Sequence, residues 1–166
     1  PGKVKLTWGK VSGAAGYEIS RGSETVATVS GTTYTDEAAQ YGQTHNYRVR
    51  AVNGALKGRM SAMAECVMPP TAPTGVTASY DGTGDGVTVK WSALSGAEKY
   101  TIQHKTDSTD WANRKTVTGT SYTDDSPVVG TQNYYRVIAA NATGTGPASA
   151  FAGVLVLTAP DGVRAV

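Results

Sequence analysis

The residues that could do chemistry are few and scattered. The 166-residue chain has two histidines, His45 and His104, one cysteine and thirteen carboxylates. No serine lies in a nucleophile elbow, no histidines are spaced as His-x-x-x-His, and no glycine loop joins a strand to a helix as a phosphate cradle requires. We therefore expect no catalytic site, no metal site and no cofactor, and we expect that the protein is not an enzyme.

Three further motifs are better explained by structure than by chemistry. Cys66 has no partner for an intrachain disulfide and no His or Lys nearby, which favours a small buried side chain over a nucleophile or an intermolecular crosslink. Asp81–Gly86 has the Asp/Gly composition of a calcium loop but lacks ligands at alternate positions and a distant glutamate, so a hairpin turn is predicted. Asn141–Thr143 is a glycosylation acceptor only if the host glycosylates proteins.

Composition excludes several classes of protein. The formal charge is +2 and is dispersed along the chain, whereas a nucleic-acid-binding surface needs clustered Lys and Arg. No stretch approaches the roughly 20 apolar residues of a membrane span, so we expect no membrane insertion. Twenty glycines, nine tyrosines and a single phenylalanine suit short strands and tight turns better than a helical bundle.

The chain repeats itself at an offset of 83 residues near its start and 88 further on. The matched pairs are Val4–Ile19 with Val87–Ile102, Thr32–Asp36 with Thr120–Asp124, and Asn46–Asn53 with Tyr134–Asn141. The five-residue difference falls where the second copy carries the longer segment "HKTDSTDWANRK". A repeat of this length fits whole domains in tandem rather than solenoid units.

Each copy has the alternation of β-strands. In "VKLTW", Val4, Leu6 and Trp8 alternate with polar residues, and "VTVKW" has the same pattern. Gly- and Ser-rich breaks at intervals of about 8 to 12 residues are typical of an antiparallel sandwich. The large residues predicted for the two cores are Trp8, Tyr17, Tyr47, Trp91, Tyr100 and Tyr135.

The segments "TAPTGV", "GAEKYTI", "SYTD", "YYRVIAAN" and "GTGPAS" occur in an order that resembles a complete fibronectin type III domain, strands A to G. The resemblance implies an all-β fold of two tandem immunoglobulin-like sandwiches: residues 1–68 without their own strand A, residues 69–157 complete, and residues 158–166 as a further strand A. "VSGAAGYEISR" is similar to bacterial surface and secreted members, which implies an extracellular or cell-surface location.

The resemblance also identifies one departure. Two residues before Tyr47 and Tyr135, where the family often places its tyrosine corner, the chain has His45 and Asn133. Either side chain can hydrogen-bond the neighbouring loop backbone, so we expect that bond in place of the usual corner.

The two termini complement each other. The first copy begins directly on its second strand, whereas Thr158–Val166 repeats Thr71–Ser79 at an offset of 87. We expect this tail to serve as strand A of a following domain or as a donor strand, with Val163 and Ala165 facing the flank beside Val4 and Leu6.

Three interpretations of these termini stay open. The chain could be one period of a long polypeptide, a subunit that polymerises head to tail, or a fragment with arbitrary boundaries. It opens at Pro1 without the features of a signal peptide, so we expect a mature piece or part of a longer protein. Three prolines in "VMPPTAP" favour a stiff joint between the copies.

The predicted function is a non-enzymatic structural module of an extracellular filament, surface stalk or repetitive adhesin. Its expected partners are copies of itself or adjacent repeats, with a cell-surface or glycan partner also open. The alternative is a ligand- or carbohydrate-binding accessory module of a secreted enzyme. Trp111, which has no counterpart in the first copy, is either an exposed anchor for a neighbouring chain or sugar ring, or a cover for its own sheet.

Overall fold

The structure is a computed structural model that describes residues 2–80, 82 and 86–157. The chain divides into two compact units, Pro1–Met68 and Pro69–Val166, called here unit 1 and unit 2. All regular elements in the described residues are β-strands, so the all-β prediction is confirmed.

Unit 1 contains seven antiparallel strands in two sheets. They are β1 (Gly2–Thr7), β2 (Gly16–Arg21), β3 (Glu24–Val29), β4 (Thr33–Ala39), β5 (Thr44–Asn53), β6 (Leu56–Lys57) and β7 (Ala64–Val67). One sheet consists of β1 and β4, and the other has the order β3-β2-β5-β6, with β7 also pairing with β5. Val4 from the first sheet and Ile19 and Tyr47 from the second share one buried cluster, so the sheets pack face to face.

The described residues of unit 2 form eight antiparallel strands. They are β8 (Thr77–Tyr80), β9 (Val87–Lys90), β10 (Lys99–Thr106), β11 (Ala112–Val117), β12 (Ser121–Asp124), β13 (Gln132–Asn141), β14 (Gly144–Ala148) and β15 (Ala152–Leu155). One sheet has the order β12-β9-β8, and the other β11-β10-β13-β14, with β15 also pairing with β13.

The core of unit 2 follows from the period-two pattern. Val87 and Val89 of β9 are fully buried against Ile102 of β10 and Val137 of β13. Most of the hairpin turn predicted at Asp81–Gly86 lies outside the described residues. Gly86 itself has a φ of 100°, and a Cβ there would collide with the carbonyl oxygen of Asp124, so only glycine fits.

Candidate functional site

The edge of β1 is the first candidate site. In unit 2, β9 lies between β12 and β8, and β8 pairs through Ala78 opposite Val89 and Tyr80 opposite Val87. In unit 1 the equivalent strand, β1, pairs with β4 alone among the described residues. Backbone N–H and C=O groups along the second edge of β1 are therefore available for another strand.

An apolar groove continues from this edge. It has a volume of about 320 Å³. Its lining includes Trp8, Val11, Tyr17, Val49, Ala51 and Gly58.

In unit 2 the equivalent place is filled by the segment that precedes β8. Pro70 is fully buried, and its carbonyl lies so close to Gly146 that a Cβ would not fit. The carbonyl of Thr74 accepts a hydrogen bond of 2.9 Å from the Ser92 amide. Gly146 is the repeat equivalent of Gly58 in the groove of unit 1, so the groove corresponds to the place that Pro70 occupies in unit 2.

The predicted core residues lie either in the buried cores of the two units or beside the groove of unit 1. Tyr17, Tyr47, Trp91, Tyr100 and Tyr135 are all at least 95% buried. Trp8 is only half-buried, although it packs edge-on against Tyr17 at a ring distance of 5.5 Å. Its side chain borders the groove that has no occupant within unit 1, which accounts for its greater exposure than Trp91.

Two of the four residues predicted for the strand contact lie among the described residues. Val4 is 6% exposed and Leu6 is half-buried, both within the cluster of unit 1. Val163 and Ala165 lie outside the described residues. Their contact with β1 stays a prediction.

A buried carboxylate organises the core of unit 1. Asp36 Oδ2 accepts hydrogen bonds of 2.8 Å from the Tyr47 hydroxyl and from Arg21 Nη1, and Asp36 Oδ1 accepts one from the Ala38 amide. Burial alone would raise the pKa of Asp36, but these donors outweigh it and lower that pKa. Burial and the bond to Asp36 raise the pKa of Tyr47.

Unit 2 repeats the arrangement with an arginine from a different strand. The Tyr135 hydroxyl donates to Asp124 Oδ2 at 2.8 Å, and Arg114 Nε lies 3.3 Å from the same oxygen. Arg114 belongs to β11, whereas Arg21 ends β2. Sequence analysis did not identify Asp36 or Asp124 as important, although both end the repeated motif "YTD".

Each histidine belongs to a structural network. His45 Nε2 accepts from the Gln40 amide at 2.9 Å, and Asn133 Oδ1 accepts from the Val128 amide at 2.9 Å. Both bonds hold the backbone five residues upstream, so the expected hydrogen bond to the loop is present in both units. His104 Nε2 also bonds Asn133 Oδ1 at 2.8 Å.

The cysteine and the acidic residues were the remaining candidates for chemistry. Cys66 lies partly buried in β7 and packs against the core of unit 1. Within the described ranges, no three His, Cys, Asp or Glu side chains converge as a metal site would need.

A second candidate site lies on the outer surface of the larger sheet of unit 2. Trp111, Tyr134 and Phe151 come together there: the ring of Phe151 is 6.2 Å from that of Trp111 and 5.5 Å from that of Tyr134. The rings are inclined at 50° and 89°, so they do not form one flat platform. Sequence analysis identified Trp111 alone, because Tyr134 and Phe151 reach it only through strand pairing.

Two cations accompany these rings. The Arg136 guanidinium lies 4.3 Å from the centre of the Trp111 ring, and Lys105 Nζ lies 5.7 Å from that centre and 5.2 Å from the centre of Tyr134. The Tyr134 hydroxyl donates to Asp107 Oδ1 at 2.9 Å, and this bond raises the pKa of Tyr134.

Solved structures share this architecture. A two-domain fibronectin type III segment from chicken tenascin matches with a TM-score of 0.52 and 16% identity over 93% of each chain. A fibronectin type III-like protein from Clostridium thermocellum is 30% identical, with a TM-score of 0.47, over 57% of this chain and 98% of that one. The chain has the fold of tandem fibronectin type III domains. No family model matches it in a direct scan.

Two curated proteins contain similar segments. Chitinase A1 of Niallia circulans is 29% identical over 95% of this fibronectin type III chain, and the match covers 24% of that enzyme. Chitinase 63 of Streptomyces plicatus is 43% identical over 29% of the chain and 8% of the enzyme. The chain thus spans about a quarter of the first relative and less than a tenth of the second.

One further finding concerns membranes. The described part of this fibronectin type III chain contains no helix with the length and apolar character of a membrane span.

Proposed function

We propose that the chain is a non-catalytic structural module of an extracellular protein, in which a strand from a neighbouring unit closes the open edge of unit 1. One observation carries this proposal. The place beside β1 and Trp8 is open in unit 1, whereas Pro70, Thr74 and β8 fill the same place in unit 2. The expected partner is another copy of the chain or an adjacent repeat.

The sequence of the tail supports its role as the occupant. Residues 158–166 repeat residues 71–79, so Ala165 would lie opposite Leu6 and Arg164 opposite Thr7. Val163 would take the place of Val76, which packs against the core of unit 2. Gly75 has a φ of 66°, and the tail keeps a glycine at the equivalent position, Gly162.

This mode of completion produces an open-ended array. Because the acceptor edge and the donor strand differ, a head-to-tail contact leaves another edge and another strand free, so the units can continue into a filament. A long polypeptide of such repeats would satisfy the same edge covalently. Filament, surface stalk and repetitive adhesin are all consistent with this geometry.

A peptide experiment tests the strand proposal. A chain that ends at Leu157 would be titrated with a peptide of residues 158–166, with the change in total tryptophan fluorescence as the readout. We expect a blue shift and a higher unfolding temperature for unit 1, because the peptide buries Trp8 and binds only the folded state. A peptide with Val163→Asp and Ala165→Asp is the control. If both peptides act alike, or neither acts, the strand proposal is wrong.

The second candidate function is an accessory module of a secreted, chitin-degrading enzyme. It is favoured by the similarity to Chitinase A1, which extends over 95% of this chain. In this role the two units would position other domains near an insoluble polymer. Deleting the tandem from such an enzyme should reduce hydrolysis of insoluble chitin and leave hydrolysis of a soluble oligomer unchanged. An equal effect of the deletion on hydrolysis of the two substrates would contradict this function.

A further inference from the structure

We propose that the outer surface of unit 2 formed by Trp111, Tyr134, Phe151, Lys105 and Arg136, called here the aromatic face, binds a neutral polysaccharide of N-acetylated sugars. The inference rests on the second candidate function and assigns it a binding site. Phe151 is 59% exposed, and Trp111 and Tyr134 are each half-buried.

The apolar part of the aromatic face suits a sugar ring. Aromatic rings pack well against surfaces that are apolar in the middle and polar at the rim. A pyranose ring has this character, with C–H groups on its faces and hydroxyl groups around its edge. Leu155, which is 49% exposed and pairs with Gln132 of the same sheet, extends the apolar surface along β15.

The side chains of the aromatic face are held in place before any ligand arrives. Arg136 Nε donates to Gln103 Oε1 at 2.7 Å, and Gln103 Nε2 donates to Asn113 Oδ1 at 2.8 Å. A Cβ at Gly153 would lie only 3.2 Å from the ring of Tyr134, so the glycine leaves room for that ring. Such preorganisation reduces the entropy lost on binding.

The polar groups of the aromatic face determine the charge of the ligand. Lysine and arginine only donate hydrogen bonds, so Lys105 and Arg136 require a ligand rich in acceptor oxygens. Hydroxyl groups and the carbonyls of acetamido groups provide these acceptors. The carboxylate of Asp107, bound to the Tyr134 hydroxyl, offsets part of the positive charge of Lys105 and Arg136, so the aromatic face lacks the concentrated positive charge that a polyanion needs. The complementary ligand is therefore neutral.

Unit 1 is an internal control, because the equivalent positions lack aromatic rings. Asn46 stands in place of Tyr134, Met63 in place of Phe151, and Trp111 has no counterpart. A chain that binds through the aromatic face should consequently bind through unit 2 alone.

The experiment measures retention of the full chain on chitin beads, with cellulose and heparin beads as the other arms. We expect retention on chitin, and about a tenfold weaker apparent affinity for Trp111→Ala and for Phe151→Ala. Met63→Ala is the matched control and should be retained like the parent chain. Thermal unfolding of each variant shows whether it is folded.

Four results would overturn the inference: no retention of the parent chain on chitin, equal retention on cellulose and chitin, equal retention of all folded variants, or preferential retention on heparin. Its failure is distinguishable from failure of the accessory function. A tandem that only positions other domains would still influence hydrolysis of the insoluble polymer without binding the beads.

Discussion

The outer face of the larger sheet carries a charged cluster in unit 1 and an aromatic cluster, at other positions, in unit 2. In unit 1, Glu18 accepts hydrogen bonds from Arg50 Nε and from Lys57 Nζ, and these partners, Lys57 first, lower the pKa of Glu18. In unit 2 the repeat equivalents of these three residues are Thr101, Ile138 and Thr145, and Trp111 and Phe151 lie elsewhere on the same face. The inward positions of the same strands are almost unchanged between the units. Outward positions do not touch the core, so they can be given a new function without changing the fold.

A second comparison concerns the sheet that contains β1 in unit 1 and β9 in unit 2. Among the residues that the structure describes, no strand pairs with this edge in the first, whereas β8 covers it in the second. Both units nevertheless keep a buried Tyr–Asp pair with an arginine beside it. The buried network of tyrosine, aspartate and arginine is thus kept in unit 2, where β8 covers the edge, and in unit 1, where no described strand does.

The largest effect is expected from the buried aspartates. Asp36→Asn should lower the free energy of unfolding of unit 1 by about 3 to 5 kcal/mol, because it leaves Arg21 without its charge partner. Asp124→Asn should cost unit 2 less, since its arginine lies at 3.3 Å rather than 2.8 Å. Urea unfolding of the two variants measures the difference. Equal losses would show that the arginine distance does not matter.

A pair of glycine substitutions tests whether the groove is open. Gly146→Ala should destabilise unit 2 by about 2 kcal/mol, because the new Cβ collides with the carbonyl of Pro70. Gly58→Ala should cost unit 1 less, because its Cβ meets only Ala51, with the carbonyl oxygen at 3.2 Å. Thermal unfolding of the two variants would measure this difference in lost stability. A larger loss for Gly58→Ala would contradict an open groove.

Acid should destabilise unit 1 through Asp36. The pKa of Asp36 is lower in the folded state than its ordinary value of 3.8, so its stabilising contribution is complete above that value and is lost as pH falls through the folded pKa. Unfolding measured at pH 5 and pH 2 should show this loss. The Asp36→Asn variant should lose less stability between pH 5 and pH 2. An unchanged pH dependence in that variant would refute the assignment of the effect to Asp36.

The smallest effect is expected from the aromatic face itself. Phe151→Ala should change the free energy of unfolding of unit 2 by no more than about 0.5 kcal/mol, because the side chain is 59% exposed. Calorimetry would measure the change. A large loss would mean that Phe151 stabilises the sheet and is not available as a ligand surface.

Much of the fold could be predicted from the sequence because the repeat shows every strand pattern twice. The alternation around Tyr17 and Tyr100 identifies buried faces without knowledge of strand order. The buried Asp–Tyr pairs could not be identified in this way. Asp36 and Tyr47 are eleven residues apart, and only the packing of β4 against β5 brings the hydroxyl to the carboxylate.

The sequence by itself determined the two-domain organisation, the strand faces and the similarity between the tail and the segment before β8. These are local patterns, because a period of two residues sets which side chains share a face. The tertiary structure alone decided which residues meet across strands. Register placed Tyr134 opposite Gly153 and brought Phe151 to Trp111, and a shift by one residue would have turned these side chains to the other face.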